Sequence, residues 1–90
     1  MKNKSSDDFK SEVTVDVHRE SLLLVGQIAL EELADDGESS NVHRAAFHQL
    51  LERGAAIFPP AVWRDLEAEV ASHLRQAWGD CAVDWLYGAN

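Results

Sequence analysis

The strongest constraint on the fold is the segment between Pro59-Pro60 and Gly79. Proline disfavours helical conformation in the residue before it but fits the first turn of a helix, so a helix should begin near residue 60. Gly79 should end that helix. Apolar residues within the segment recur at helical spacing on one arc, which consists of Val62, Trp63, Leu66, Val70, Leu74, Ala77 and Trp78. The sequence therefore predicts an amphipathic helix over residues 60–78.

The same reasoning predicts two helices before this one and a short helix after it. The first should begin at His18 or Ser21, end near residue 33 or 34, and be stopped by Asp35, Asp36 and Gly37. The second should run from about residue 42 to 58, with residues 39–41 as cap candidates. Its buried stripe includes a glycine at position 54, which would let another helix approach closely. The predicted fold is mainly α: a small bundle of three helices plus a short C-terminal helix.

The segment before the first helix shows a different period. Val13, Val15 and Val17 alternate with Thr14 and Asp16, which is typical of a half-buried strand. A short N-terminal β-strand over residues 12–17 is therefore expected. Residues 1–11 are polar and predict a flexible tail, so that residues 12–90 form a single helical domain. Ninety residues are close to the lower limit for one unaided core, which favours support from a second copy or a partner.

Charge restricts the classes of partner. Sixteen Asp and Glu residues oppose eight Lys and Arg residues, giving a net charge of −8. This charge opposes binding to nucleic acids and anionic membranes and favours a protein partner with a basic surface. The single cysteine, Cys81, and the absence of an N-terminal apolar run predict a cytoplasmic protein. No apolar run approaches the roughly 20 residues that cross a bilayer, so no membrane association is expected.

Candidate catalytic and metal-binding patterns are weak. His43 and His48 are five residues apart, about 140° on a helix, which does not match the i, i+4 spacing of zinc ligands. His43 is expected on the apolar stripe with its ring bonded locally, and His18, His48 and His73 at the surface. Cys81 has no adjacent base, and the glycines form no phosphate loop. No catalytic residue, cofactor or metal is predicted, and the chain is not expected to be an enzyme.

The first helix carries the best candidates for partner binding. Leu24 and Ile28 lie nearly opposite its main apolar stripe, and a helix that is apolar on two sides must be covered on two sides. The cover is either the C-terminal segment containing Trp78 and Trp85 or another molecule. Trp85 is also a candidate aromatic anchor. With the acidic run that follows, the predicted partner-binding residues are Leu24, Ile28, Glu31, Glu32, Asp35, Asp36, Glu38 and Trp85.

In outline, residues 12–54 resemble the ribbon-helix-helix family. The resemblance rests on the alternation EVTVDV, on Gly37 after the first helix and on Ser39-Ser40 before the second. It implies an obligate dimer whose paired strands lie in the major groove of DNA. The sequence departs from this pattern because its outward strand residues include Glu12 and Asp16, where Arg, Lys, Asn or Gln usually contact bases.

Taken together, these features predict a non-enzymatic, acidic regulator or inhibitor that acts through a protein–protein interface. Its expected partner is another protein with a basic surface, which includes surfaces that normally bind nucleic acid. A homodimer is also expected, whereas direct binding to nucleic acid is not. The alternative is a ribbon-helix-helix-like dimer that serves as an antitoxin or transcriptional repressor.

Overall fold

The computed structural model describes the backbone of residues 2–35 and 40–88, and the side chains of residues 14–35 and 40–88. The elements in chain order are α1 (Lys2–Asp35), α2 (Ser40–Ile57), α3 (Pro60–Trp78) and α4 (Asp80–Leu86). Helix α1 packs most extensively on α2 and also contacts α3 and α4, while α3 packs on α4. The prediction of a mainly α helical bundle is confirmed. Within the described ranges, no helix is long and apolar enough to cross a membrane.

The core lies where the four helices meet. Every helix contributes side chains with at most 2% of their surface exposed. Burial of one large apolar side chain such as Leu or Phe stabilises a fold by about 1.5–3 kcal/mol. Phe47 of α2 and Tyr87 after α4 meet edge to face, with ring centroids 5.3 Å apart. The core residues are Leu22, Ala29, Leu30, Phe47, Leu66, Val70, Leu74, Val83 and Leu86.

Helix α3 has the limits that its flanking residues predict. Pro60 occupies its first turn, where the missing N–H removes no helical hydrogen bond. Gly79 ends the helix with a φ of 94°, a conformation that residues with a side chain rarely adopt. The Gly79 N–H donates to the Arg75 carbonyl at 2.9 Å, which satisfies one of the last carbonyls of the helix.

Residues 12–17 belong to helix α1, so the predicted N-terminal strand is wrong. Val15 packs against the core, and His18 and Leu22 are buried at the following helical positions. These spacings of three and four residues continue the buried stripe of α1 towards its N-terminus. Val17 is 58% exposed instead of sharing a strand face with Val15. The alternating valines fit either period, and packing against the bundle selects the helix.

The ribbon that the family resemblance requires is therefore helical in this chain. Helix α1 also begins earlier than predicted and ends at Asp35, one residue beyond the predicted limit, and α2 begins at Ser40. Gly37 and Ser39, expected to stop α1 and to cap α2, lie outside the described residues. The flexible tail over residues 1–11 and the single domain over residues 12–90 stay predictions.

Gly54 lies under the ring of Trp63 from α3, which is a close approach of a side chain rather than the close approach of another helix that the sequence predicted. It is buried, and the indole ring of Trp63 occupies the space beside its Cα. A Cβ at position 54 would lie 2.1 Å from Cζ3 of Trp63, far inside contact distance. The absence of a side chain at this position therefore allows the ring to pack on the backbone of α2.

Candidate functional site

The candidate site is the side of α1 that faces away from the bundle. Two large apolar residues, Val17 and Leu24, are 58% and 60% exposed and lie two turns apart on this side. Val17, Leu24 and neighbouring polar residues line a shallow cleft of about 460 Å³. We call this surface the outer face of α1 and define it by residues Asp16, Val17, Glu20, Ser21, Leu24, Ile28, Glu31 and Asp35.

The exposure of Leu24 bears on what covers the second apolar side of α1. No part of the described chain buries this side chain, so the C-terminal segment with Trp78 and Trp85 is not its cover. Ile28, one turn further on, is half-buried. Exposed apolar side chains rimmed by polar residues occur at interaction surfaces.

The acidic residues after Ile28 divide between two environments. Glu31 and Asp35 are exposed on the outer face. Glu32 points towards α2, where its carboxylate accepts a hydrogen bond of 2.6 Å from Nδ1 of His43. Glu32 therefore joins the end of α1 to the start of α2 and does not share the orientation of Glu31. The other two predicted acidic residues, Asp36 and Glu38, lie outside the described residues.

The outer face carries a concentrated negative charge. Arg19 is the only Lys or Arg of the chain between positions 14 and 35. Its guanidinium is already shared between Asp16 on α1 and Glu69 on α3, with the second contact at 3.2 Å. Among the described residues, no ion pair involves Glu20 or Glu31. Their charges are therefore available to a basic partner.

Trp85 belongs to a different part of the molecule. Its ring is half-buried against the core, and the guanidinium of Arg44 on α2 lies 5.0 Å from the ring centroid. This is the geometry of a cation–π contact, worth about 0.5–1 kcal/mol where it is exposed. The structure thus brings Leu24, Glu31 and Asp35 together on α1, and places Trp85 in the packing between α4 and α2.

Two of the histidines predicted at the surface, His18 and His48, make contacts with other helices. His18 is 7% exposed, and its Nε2 donates a hydrogen bond of 2.8 Å to the Leu50 carbonyl of α2. Its ring also meets the rings of Phe58 and Trp63 edge to face. His48 is half-buried and donates in the same way to a carbonyl of α4. The surface position predicted for His18 is wrong; its place four residues before Leu22 on the core stripe was the available signal.

The histidines and acids of residues 14–35 and 40–88 do not converge on a metal site: no group of three or more His, Cys, Asp or Glu side chains there could hold an ion. His18, His43 and His48 each connect two helices instead. The outer face of α1 thus offers a partner two exposed apolar side chains with carboxylates around them. No family model, no curated protein and no solved structure matches this chain.

Proposed function

We propose that this chain is a non-enzymatic, acidic regulator or inhibitor that binds another protein through the outer face of α1. One observation carries the proposal: Leu24 and Val17 are exposed to solvent on a helix face whose Glu20 and Glu31 have no ion pair among the described residues. Covering the two side chains would remove apolar surface from water, at about 25 cal/mol per Å². The proposed location of the protein is the cytoplasm, in keeping with the single cysteine of the chain.

The chemistry of the face specifies the chemistry of the partner. The apolar pair supplies the water-excluding centre of an interface, and the surrounding carboxylates steer the protein towards a basic surface. A groove that normally holds nucleic acid has this character, since its Lys and Arg residues neutralise phosphates. By occupying such a groove, an acidic protein would compete with the nucleic acid.

The binding test compares two sets of exposed valine and leucine residues. In the test variant, Val17→Glu and Leu24→Glu are combined, which places charges at the centre of the proposed interface. In the control, Val42→Glu changes a residue of α2 that is 70% exposed and lies outside the face. All three changes occur at solvent-exposed positions, so circular dichroism should show the wild-type helix content for both variants.

Capture of proteins from cells expressing the tagged chain provides the readout. We expect a partner that binds the wild type and the Val42→Glu variant. It should bind the double variant at least about tenfold more weakly, equivalent to ~1.4 kcal/mol, because the interface would have to strip water from two introduced carboxylates. Nucleic acid added to the captured complex should release a partner held by a basic groove. Equal capture by the double variant would contradict the proposal, as would a wild type that captures nothing.

A further inference from the structure

Helix α3 presents a second cleft, lined by residues of opposite charge to the outer face of α1. The cleft has a volume of about 290 Å³, and the side chains of Arg64 and Arg75 lie on its walls. Ala68 and Ala71 lie between them, and the ring of Tyr87 closes one side. Glu67 is the only carboxylate among the described residues that line it. We call this surface the α3 cleft.

The spacing of charges on the α3 cleft matches that on the outer face of α1. Arg64 and Arg75 are eleven residues apart, as are Glu20 and Glu31, and eleven residues rise about 16 Å along a helix. Leu24 follows Glu20 by one turn, as Ala68 follows Arg64. If α1 of one copy lay parallel to α3 of another, Glu20 would meet Arg64 and Glu31 would meet Arg75 at the same time.

From this match we propose that the outer face of α1 in one copy docks into the α3 cleft of a second copy. Leu24 then packs on the small side chains of Ala68 and Ala71, which leave room for a larger side chain from a neighbouring helix. The inference rests on the proposed function in one respect, because it uses the same face of α1. It adds regulation: self-association covers the face, and a target must compete with a second copy.

The arginines of the α3 cleft are available for such contacts. Arg64 is exposed and takes part in no ion pair among the described residues. Arg75 lies 3.5 Å from Asp80 and 3.7 Å from Asp84, contacts that are long and solvent-exposed. Exposed pairs of this kind contribute at most about 1 kcal/mol, so a carboxylate from a second copy can replace them.

Two like-charged chains repel each other at long range, since each carries a net charge of −8. At physiological salt this repulsion is screened beyond about 8 Å, whereas contacting charges are screened less. The contact joins two different surfaces of the chain, so it builds either a two-fold dimer, in which the two copies dock reciprocally, or a head-to-tail ring or chain of copies. Two outer faces of α1 placed against each other would instead bring carboxylates to carboxylates.

A charge-exchange experiment tests this arrangement. One variant carries Glu20→Arg with Glu31→Arg, and the other carries Arg64→Glu with Arg75→Glu. Each variant alone would place like charges across the interface, whereas a mixture of the two restores opposite charges at every contact. Arg53→Glu is the control, because Arg53 is an exposed residue of α2 without an ion pair among the described residues.

Sedimentation equilibrium over a range of protein concentrations measures the outcome. We expect a wild type and an Arg53→Glu variant whose mass rises with concentration, and charge-exchanged variants that associate at least about tenfold more weakly, equivalent to ~1.4 kcal/mol. An equimolar mixture should regain the association of the wild type. Circular dichroism of each variant should show an intact helical fold, so that loss of association is not loss of structure.

A wild type that stays monomeric would overturn the inference, and so would a mixture that stays as dissociated as its components. These results are separable from failure of the proposed function. The variant with Glu at positions 64 and 75 keeps its α1 face and should still capture a target. Target capture by a strictly monomeric wild type would therefore refute only the self-association.

Discussion

Replacement of Gly54 by alanine tests how tightly α2 and α3 are packed. In the native structure, the ring of Trp63 covers the Cα of this buried glycine. An added Cβ would lie 2.1 Å from Cζ3 of the ring and 2.6 Å from Cη2, whereas real Cβ atoms essentially never approach another atom within 3.0 Å. The indole must move, and its neighbour His18, with a ring centroid 6.0 Å away, restricts where it can go.

Two opposing contributions determine how much Gly54→Ala changes the free energy of unfolding. Alanine in place of glycine within a helix stabilises it by about 1 kcal/mol. Overpacking of a filled interior costs about 1–3 kcal/mol, and a displacement this large belongs at the upper end. We therefore expect Gly54→Ala to lower the free energy of unfolding by about 1–2 kcal/mol.

Gly26 provides the matched control. It is also a buried helical glycine, but a Cβ there would lie 3.1–3.2 Å from the flexible side chains of Phe47, Leu74 and Leu86. A shift of a few tenths of an ångström relieves these contacts, so Gly26→Ala should be less destabilising than Gly54→Ala.

Urea denaturation followed by circular dichroism at the helix band gives both free energies. Combining Gly54→Ala with Trp63→Leu should recover part of the loss relative to the sum of the single changes, because the smaller side chain vacates the space. The packing of the Trp63 ring on Gly54 is incorrect if Gly54→Ala is as stable as the wild type, or if Gly26→Ala has the lower free energy of unfolding of the two variants.

Two further predictions concern titratable side chains in the interior. His18→Ala should lower the free energy of unfolding by about 2–3 kcal/mol, because it removes a buried ring and its hydrogen bond to the Leu50 carbonyl. His73→Ala, at an exposed position, should change the free energy of unfolding by less than about 0.5 kcal/mol. Similar urea midpoints for the two variants would contradict the buried position of His18. Burial, assisted by the charge of Glu67 and opposed by that of Arg75, raises the pKa of Tyr87 from 10.0 to about 12. As the pH rises, the unfolded chain therefore loses its phenolic proton before the folded chain does. The contribution of the neutral phenol to stability is fully present below pH 10 and should be lost as the pH rises from about 10 to 12. After a discount for the partial exposure of the side chain, we expect this loss to be about 1 kcal/mol. Tyr87→Phe should remove this decline, and the phenolate absorbance of the only tyrosine in the chain should report its titration directly.

Helix α3 was predictable from sequence because local chemistry determines both of its ends. Pro60 fits only the first turn, and Gly79 adopts a positive φ that stops the helix. Between them the apolar residues form one arc, so no second orientation of the helix competes. Where the backbone chemistry and the apolar period agree, as in α3, knowledge of the neighbouring helices adds little.

The N-terminal part of α1 was not predictable in the same way. Val13, Val15 and Val17 satisfy a period of two, and the helical period becomes visible only when His18 is accepted as a core residue. A buried histidine needs a hydrogen-bond partner for its ring nitrogen, and for His18 that partner is the Leu50 carbonyl on α2. The alignment of α2 against α1 determines this contact, and no local pattern in α1 contains it.

Two adjacent residues of the candidate site also differ in a way that depends on packing and not on the local sequence pattern. Glu31 and Glu32 are indistinguishable as members of an acidic run, but successive residues of a helix point about 100° apart. That rotation directs Glu32 to His43 in the packing between α1 and α2, and leaves Glu31 exposed on the face that carries Leu24. The density of acids therefore identifies the region, and the helical phase relative to Leu24 identifies which carboxylates a partner can reach. The proposed binding surface is better defined by its exposed leucine than by its charge.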